Sequence, residues 1–348
     1  MAKILVFSDL HFFRGRLDYL QETCSWIASQ IMKQTPDLVV FCGDLNHSHN
    51  NVETDTLHCM SRCMSEIADA TRQHTGKPLL AISGNHDTAL KSTEKNVVEA
   101  IAFLSPNIRA ITTPTAVEGY AFAPYPPSGD KFDAYLTALH AINSPVIFGH
   151  LELADIAYSP ASPQASEHPF PLPSQTKLIV NGHYHHPQRK TVAGVDTVIV
   201  GSPCYHTYAD CMVETPRGVL LLELGSEVKT TWIENPIGPI YHTISTVQIP
   251  AVLTHPNVAR MRLRVKVRDK EDYEQSKAAI LRLREVASSV RVTAASTDAV
   301  AEIHKVETTA IDAADPLFVF RAYAAKKNLT ASVVSGGESF LLTALGGR

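Results

Sequence analysis

Five short polar motifs, each directly after an apolar run, constrain the fold of this chain more than any other feature. The runs are short, rich in β-branched residues and nearly continuous, which is typical of strands buried on both faces. Polar side chains that follow such strands gather at one edge of an open α/β sheet. The motifs are Asp9-Leu10-His11, Gly43-Asp44-Leu45, Gly84-Asn85-His86-Asp87, Gly149-His150 and Gly182-His183-Tyr184-His185.

The apolar runs alternate with amphipathic segments near 16–33, 53–73 and 92–104, which predicts an α/β domain. After Val180 the pattern changes to runs that we expect to form successive antiparallel strands. The sequence therefore predicts a sheet-rich core with helices outside. The predicted strands are Ile4–Ser8, Leu38–Cys42, Leu79–Ser83, Val146–Phe148, Leu178–Val180, Val195–Val200, Gly218–Leu224 and Val228–Ile233.

Two prolines and a glycine in 235–239 interrupt the pattern, and we place a domain boundary there. The prediction is a first domain over residues 1–235, a small α+β capping domain over 236–330 and a tail over 331–348. In the tail the apolar side chains could dock a partner or pack on the chain's own second domain. These side chains are Phe340, Leu341, Leu342 and Leu345.

The second region contains a segment in which cationic and apolar residues alternate strictly. As a strand it would place all its cations on one face and its apolar side chains on the other. Such a face could contact DNA phosphates, or it could be a solvated face or a charged sheet edge. The cationic residues are Arg260, Arg262, Arg264, Lys266 and Arg268.

The net charge of −4 is unevenly distributed along the chain. Residues 236–348 contain 15 Lys and Arg against 11 Asp and Glu, a net +4, so the rest of the chain carries −8. Acidic metal ligands suit the first part and a polyanionic partner suits the second.

Together the five motifs offer three Asp, one Asn and five His as donors. A single histidine is more often a satisfied core or surface residue than a ligand. Five such motifs in register, each after an apolar run, instead favour a metal site. Imidazole combined with carboxylate suits Mn, Fe or Zn better than Mg or Ca, which prefer oxygen-only shells.

The ordered motif set resembles that of the calcineurin-like metallophosphoesterase superfamily over residues 1–235. The resemblance implies a β-sandwich flanked by helices (αββα), with two divalent ions, and it implies a role for each motif residue. Asp9, His11 and His185 would bind the first ion, Asn85, His150 and His183 the second, and Asp44 would bridge them. His86 would face the phosphate and protonate the leaving oxygen, and Asp87 would orient His86.

Finer resemblances extend to about residue 245 and concern SbcD-type double-strand-break repair nucleases and phage recombination endonuclease subunits. They are carried by Gly43-Asp44-Leu45-Asn46-His47-Ser48, by Gly182–Gln188, by Gly201-Ser202-Pro203 and by Trp232–Pro236. The likeness implies a Mn-dependent DNA nuclease subunit with 3′→5′ exonuclease action on duplexes and endonuclease action on single strands. His47 would help to place the DNA strand, although it could also be an ordinary loop histidine.

The same resemblance implies two partners besides DNA. One is a second copy of the chain, paired through helices of the first domain, and the other is an SbcC-type coiled-coil ATPase. The chain itself contains no P-loop motif. Its apolar runs are shorter than the ~18 residues of a membrane span, so no membrane is expected. Six cysteines without a CxxC pair indicate reduced thiols and a cytoplasmic protein, in a host cytoplasm if the source is a phage.

Two other functions compete with the nuclease. A small-molecule phosphodiesterase or phosphatase of the same superfamily would need neither a basic second domain nor an ATPase partner. A metal-free scaffold that keeps the fold would lack several ligands, whereas here every expected position is filled.

Overall fold

The computed structural model describes residues 2–49, 51–88, 95–157, 170–208, 210–212 and 215–294, with the single positions Phe320, Val334 and Glu338. The predicted tail segment with Phe340 and Leu345 lies outside the described residues. So does the part of the predicted second domain after residue 294, apart from Phe320.

Between residues 2 and 294, the described part of the chain contains fifteen strands and six α-helices, besides four short 3-10 helices. In chain order the strands are β1 (Ala2–Phe7), β2 (Leu38–Phe41), β3 (Leu79–Ile82), β4 (Ile108–Ile111), β5 (Thr115–Val117), β6 (Tyr120–Ala123), β7 (Val146–Gly149), β8 (Leu178–Asn181), β9 (Gln188–Val192), β10 (Val195–Ile199), β11 (Gly218–Leu224), β12 (Val228–Glu234), β13 (Ile240–Ser245), β14 (Met261–Val267) and β15 (Ser289–Ala294). The helices are α1 (Leu17–Gln34), α2 (Thr54–Thr75), α3 (Val97–Leu104), α4 (Lys131–His140), α5 (Ile249–Leu253) and α6 (Lys270–Val286).

Two six-stranded sheets form the core of the first 235 residues. Their strand orders are β12-β11-β1-β2-β3-β4 and β5-β6-β7-β8-β10-β9. In the first sheet, neighbouring strands pair in parallel from β1 through β2 and β3 to β4. In the second sheet, β6, β7, β8 and β10 pair in parallel in the same way. The carboxyl ends of these central strands therefore lie at a shared edge.

Apolar side chains of the two sheets pack against each other between the layers. Val6 and Val40 of the first sheet share one cluster with Phe148 and Val180 of the second. A second cluster covers the outer face of the first sheet with α1, α2 and α3, and a third covers the second sheet with α4. The predicted αββα arrangement is confirmed.

The prediction of successive antiparallel strands after Val180 is wrong in part. β10 pairs in parallel with β8 in the second sheet, whereas β11 and β12 pair antiparallel in the first sheet. The chain crosses from one sheet to the other between β10 and β11. Hydrophobic patterns mark a strand but do not specify which sheet it joins, because both sheets face the same core.

The sequence patterns also missed β4, β5, β6, β9 and α4. The missed strands contain three to five residues each, and β4, β5 and β9 are edge strands. β9 exposes three consecutive residues, so it shows no apolar run. Edge strands need less apolar surface, because only part of each strand is covered.

The segment from Ile240 to Ala294 forms a parallel three-stranded sheet, β13-β14-β15, with β14 in the centre. The apolar face of β14 packs with α6 and α5 in a separate cluster that includes Leu263, Val265 and Ile280. The predicted alternation of β14 is confirmed: Met261, Leu263, Val265 and Val267 are buried.

Among the described residues, none of the helices combines the length and the apolar character needed to cross a membrane.

Candidate metal centre

The five polar motifs follow β1, β2, β3, β7 and β8, so the parallel strands bring their side chains to one edge of the sandwich. Every residue for which the sequence predicted metal binding lies in this cluster. The distances between ligand atoms distinguish two groups within this cluster. Asp44 belongs to the second group, and its carboxylate also faces His11 of the first group.

The first group contains Asp9, His11 and His185, whose ligand atoms all lie within 4.8 Å of one another. The Nε2 atoms of His11 and His185 are 3.0 Å apart. Both carboxylate oxygens of Asp9 are buried without a hydrogen-bond partner. Burial of a carboxylate costs free energy unless the carboxylate is paired or coordinates a metal. The first group therefore fits a cation.

The second group contains Asp44, His150 and His183, again within 4.8 Å. The amide oxygen of Asn85 completes it, because it lies 3.1 Å from His150 Nε2 and 3.0 Å from His183 Nδ1. His150 Nδ1 contacts the Cys42 carbonyl oxygen at 2.6 Å, which leaves Nε2 as the nitrogen that faces the group.

Asp44 has one carboxylate oxygen toward each group. Its Oδ2 lies 3.4 Å from His11 Nε2, and its Oδ1 lies 3.4 Å from His150 Nε2. A single carboxylate between two imidazole-rich groups is the arrangement that a bridged pair of divalent ions requires. The donor set and this geometry fit two ions.

Burial and charge set the protonation states of the cluster. Burial lowers the pKa of His183 to about 3 and that of His11 well below its usual value, so both rings are neutral at neutral pH. Burial would also lower the pKa of His150, but the Asp44 carboxylate raises it to about 9. A divalent ion between Asp44 and His150 would replace that proton, because a metal ligand must be deprotonated.

Several candidate ligands have a left-handed backbone, which is uncommon for residues other than glycine. Their φ angles are 55° for Asp9, 48° for His11, 59° for Asp44 and 72° for His183. A Cβ at Gly84 would collide with the Asp44 carboxylate and backbone nitrogen. Such strain is stored at functional sites, where the surrounding structure holds it.

His86 lies at the open edge of the cluster. Its Nδ1 is 2.8 Å from the His47 carbonyl oxygen, and its ring is 4.8 Å from that of His11. The His47 ring is stacked parallel to it at 5.8 Å. Burial lowers the pKa of His47 to about 4, so the His47 ring is neutral at neutral pH. His86 and His47 thus face the same space beside the first group.

The family of the chain follows from its match to a protein-family model. The model of the calcineurin-like phosphoesterases matches residues 2–199, more than half of the chain. The chain belongs to the calcineurin-like phosphoesterase family. Its candidate ligands lie at the strand ends where a two-metal phosphoesterase needs them, and the family membership implies phosphoester hydrolysis. No curated protein matches the chain.

Solved structures resemble the fold of this calcineurin-like phosphoesterase only distantly. A dimetal phosphatase from Danio rerio has 13% identity and a TM-score of 0.40, over 67% of this chain and 97% of its own. TT1561 of Thermus thermophilus has 13% identity and a TM-score of 0.39, over 66% and 98%. GAP50, described as the anchor in the inner membrane complex of Plasmodium, has 10% identity and a TM-score of 0.44, over 86% and 98%.

Asp87 organises the loop that contains Asp44. Its Oδ1 accepts hydrogen bonds from the backbone N–H groups of Leu45 and Asn46, at 2.8 and 3.0 Å. Its Oδ2 accepts from those of Asp44 and Gly84, at 2.9 and 2.8 Å. One buried carboxylate therefore ties the β2 loop to the β3 loop.

These contacts correct the expectation that Asp87 orients His86. Both Asp87 oxygens are used by backbone N–H groups, and the backbone carbonyl of His47 makes the contact with His86 Nδ1 instead. The neighbouring position in sequence suggested a side-chain pair. Both side chains contact the loop after β2, but they contact different backbone groups of it.

We expect Asp87→Ala to lower the free energy of unfolding of the metal-free protein by about 3 kcal/mol or more, since each buried donor left unpaired costs about 1–3 kcal/mol. Urea denaturation followed by circular dichroism measures the loss. Asp69→Ala on α2 removes an exposed carboxylate that accepts one hydrogen bond from Asn107, and it should change stability far less. Equal stabilities of the two variants would contradict this role for Asp87.

Asp210 is a residue of the site that the sequence motifs did not reveal. It lies in the segment between β10 and β11, outside all five motifs, and its Oδ1 is 3.9 Å from His185 Nδ1. A lone Asp in such a segment carries no spacing signal, so only the fold identifies it.

The cationic face of β14 is largely used within the chain. Arg260 Nε donates to the Gly238 carbonyl oxygen at 3.1 Å. The Arg262 guanidinium lies 5.1 Å from the centre of the Tyr19 ring, and that of Arg264 lies 4.2 Å from the Tyr208 ring. Arg262 and Arg264 therefore hold the segment that contains β13, β14 and β15 against the first domain, whereas Arg260 contacts its own segment. β14 is also a central strand, so its cations do not protect a sheet edge.

Lys266 and Arg268 are the exposed members of the same face. The Arg268 side chain is 79% exposed, and its Nε lies 3.6 Å from the Asp272 carboxylate. Of the five cations predicted to contact DNA, only these two are exposed to solvent and to a large ligand.

Proposed function

We propose that this phosphoesterase is a Mn-dependent DNA nuclease subunit that hydrolyses phosphodiester bonds at the two-group centre. The observation that carries the proposal is the Asp44 carboxylate, which lies between two buried ligand groups with His86 at their open edge. The choice of DNA as substrate is supported by the resemblance of the Gly43–Ser48 and Gly182–Gln188 segments to SbcD-type nucleases.

Each group has enough donors to hold one divalent ion. Asp9, His11 and His185 would hold the first, Asn85, His150 and His183 the second, and Asp44 both. Two ions bound there neutralise phosphate charge and activate a water molecule for attack. The mixture of imidazole and carboxylate donors favours Mn over Mg.

The residues around the ions supply the proton. The His47 carbonyl oxygen accepts a hydrogen bond from Nδ1 of His86, so His86 would act as the acid in its imidazolium form, in which Nε2 carries the second proton and donates it to the leaving oxygen. The His47 ring stacks beside it and limits the directions from which a phosphodiester strand can approach. We propose that His47 places the strand in this way.

The experiment that tests the function is cleavage of end-labelled duplex DNA by the purified chain in Mn²⁺, with EDTA and with the chromogenic substrate bis(p-nitrophenyl) phosphate as comparisons. Degradation of DNA that EDTA abolishes is the expected result. Intact DNA beside rapid hydrolysis of the chromogenic substrate, repeated with the ATPase partner present, would overturn the nuclease proposal.

A small-molecule phosphodiesterase is the second candidate, and one observation favours it. Arg260, Arg262 and Arg264 contact residues of the chain itself, so fewer cations remain for a polyanion. This candidate predicts that cleavage of the chromogenic substrate far exceeds that of DNA.

If the exposed end of β14 contacts DNA, Lys266→Ala and Arg268→Ala should each weaken DNA binding and reduce its salt dependence. Each phosphate contact contributes about −0.9 to the slope of log K against log salt for duplex DNA. Fluorescence anisotropy at several salt concentrations, with Ca²⁺ in place of Mn²⁺ to slow cleavage, measures the slope. Lys229→Ala, at an exposed position on the edge strand β12, is the control. Slopes equal to that of the control would exclude this contact.

Two partners complete the proposal. A second copy of the chain would bring two centres to one DNA molecule, and an SbcC-type ATPase would supply the ATP hydrolysis for which the chain contains no P-loop motif. Both rest on the resemblance to SbcD-type nucleases.

A further inference from the structure

The segment between β10 and β11 supports the first ligand group from outside. We call its described residues, 202–208 and 210–212, the support loop. The loop extends from the end of β10, in the second sheet, toward the metal centre. Its side chains contact Asp9 and His185, two of the three residues of the first group.

His206 of the support loop is buried and contacts the backbone of the first motif. Its Nε2 lies 2.9 Å from the Asp9 carbonyl oxygen and 2.7 Å from Ser202 Oγ. Its ring lies 5.3 Å from that of His11 and 5.1 Å from that of His185. His206 therefore fills the space behind the ligands of the first group.

Asp210 both fixes the conformation of the support loop and faces His185. Its Oδ2 accepts hydrogen bonds from the backbone N–H groups of His206 and Thr207, both at 2.9 Å. Its Oδ1 lies 3.9 Å from His185 Nδ1, an ion-pair distance about 1 Å longer than a direct hydrogen bond. Arg217 Nη2 donates to the Asp210 carbonyl oxygen at 3.1 Å.

The Asp210 side chain acts as a hydrogen-bond acceptor. Its Oδ2 already accepts two backbone N–H groups, and its Oδ1 faces the ring nitrogen of His185. An ionised carboxylate has only acceptor oxygens, so a partner opposite Oδ1 must supply the proton.

The two ring nitrogens of His185 have different surroundings. Nε2 lies 3.0 Å from His11 Nε2, inside the first group, and Nδ1 faces the Asp210 carboxylate. A carboxylate opposite Nδ1 favours the tautomer that carries its proton there, because only an N–H can satisfy that acceptor. The lone pair then lies on Nε2, the nitrogen that a metal ligand must present.

We propose that Asp210 is a positioning residue that fixes the tautomer and orientation of His185 and thereby sets the metal affinity of the first group, leaving the second group unaffected. The proposal rests on the two-metal centre described above. It concerns ion binding, so it stands whether the substrate is DNA or a small phosphodiester.

The variant Asp210→Asn tests this most directly. An asparagine keeps the shape and one oxygen for the His206 and Thr207 amides, but its NH2 group would face His185 Nδ1. That donor favours the opposite tautomer, with the proton on Nε2. Isothermal titration of the metal-free protein with Mn²⁺ should show one of two sites weakened about 10–100-fold and the other unchanged.

The control is Asp272→Asn on α6. Asp272 is also a buried aspartate that accepts a backbone hydrogen bond, from Arg268 at 2.9 Å, but it lies in the segment with its own apolar cluster. Both Mn²⁺ affinities should equal those of the wild type in this variant. Unchanged affinities in Asp210→Asn, or equal losses at both sites, would overturn the proposal.

A measurement on the wild type covers the case in which Asp210→Asn does not fold. Selective ¹⁵N labelling of histidine in the Zn²⁺-loaded protein reports which ring nitrogen carries the proton. The signal assigned to His185, by comparison with His185→Gln, should show a protonated Nδ1. A His185 ring protonated on Nε2 in the loaded protein would contradict the assignment. A protein that binds only one ion would instead refute the two-metal centre itself.

Discussion

The variant Asp44→Asn should lose phosphodiester hydrolysis by about a thousand-fold or more, equivalent to about 4 kcal/mol of transition-state stabilisation. Among the residues that the structure describes, Asp44 is the carboxylate with an oxygen toward both ligand groups, 3.4 Å from His11 Nε2 and 3.4 Å from His150 Nε2. An asparagine has a similar shape but removes the negative charge shared by two cations. The asparagine side chain also ends in an NH2 group, which donates hydrogen bonds and cannot bind a metal.

The effect on metal content distinguishes this prediction from a simple loss of stability. We expect less Mn to be retained after dialysis than in the wild type, because both groups lose a ligand atom or the shared charge. Elemental analysis of dialysed protein and kcat with bis(p-nitrophenyl) phosphate give the two readouts.

The matched control is Asp55→Asn, at an exposed position in the first turn of α2. It removes the same charge from the surface, so metal content and kcat should remain those of the wild type. An Asp44→Asn protein that retained two ions and normal kcat would show that Asp44 does not bridge the groups.

The variant His86→Ala should keep both metal ions and still lose about 10²–10⁴-fold in kcat on DNA, the range usual for a general acid. His86 is held by the His47 carbonyl at the open edge of the cluster, and its backbone N–H donates to Asp44 Oδ1 at 2.9 Å. An alanine keeps that backbone hydrogen bond, so the position of Asp44 should not change.

The dependence on the leaving group shows whether the missing function is proton donation. A p-nitrophenolate leaves without protonation, so His86→Ala should impair the chromogenic substrate much less than DNA. Equal losses on both substrates would point to a role in binding the phosphate.

The metal content of the variant tests the alternative that His86 is itself a metal ligand. The ring of His86 lies close enough to His11 and His47 for the three to hold an ion, so a ligand role would show as lost metal. His140→Ala, at the end of α4, controls for removal of an exposed histidine. A His86→Ala protein with fewer ions than this control would contradict the assignment of His86 as a proton donor.

The sequence alone was sufficient to predict the ligand cluster, and the reason is local. Each candidate ligand follows a buried strand within a few residues, and parallel strands necessarily bring their carboxyl ends to one edge. The alternation of strands and helices predicted a sheet-rich α/β core with helices outside, whereas the αββα sandwich was implied by the resemblance to the metallophosphoesterase superfamily. Asp9, Asp44 and His150 could therefore be grouped although they are far apart in the chain.

The sequence could not assign contacts that depend on the direction of a side chain or on the path of a loop. Asp87 follows His86 directly, yet its carboxylate faces four backbone N–H groups in the β2 and β3 loops. The alternation of β14 predicted its two faces, but the partners of Arg262 and Arg264 depend on how that sheet packs against the first domain.

Asp210 shows this limit most clearly. It follows His185 by 25 residues and belongs to no motif, because the contact between them forms only when the chain passes from the second sheet back to the first. The sequence determined which side chains could bind metal, since strand ends and residue types are local properties. The tertiary structure alone decided which groups hold those ligands in place, because these contacts join segments that only the packed sheets bring together.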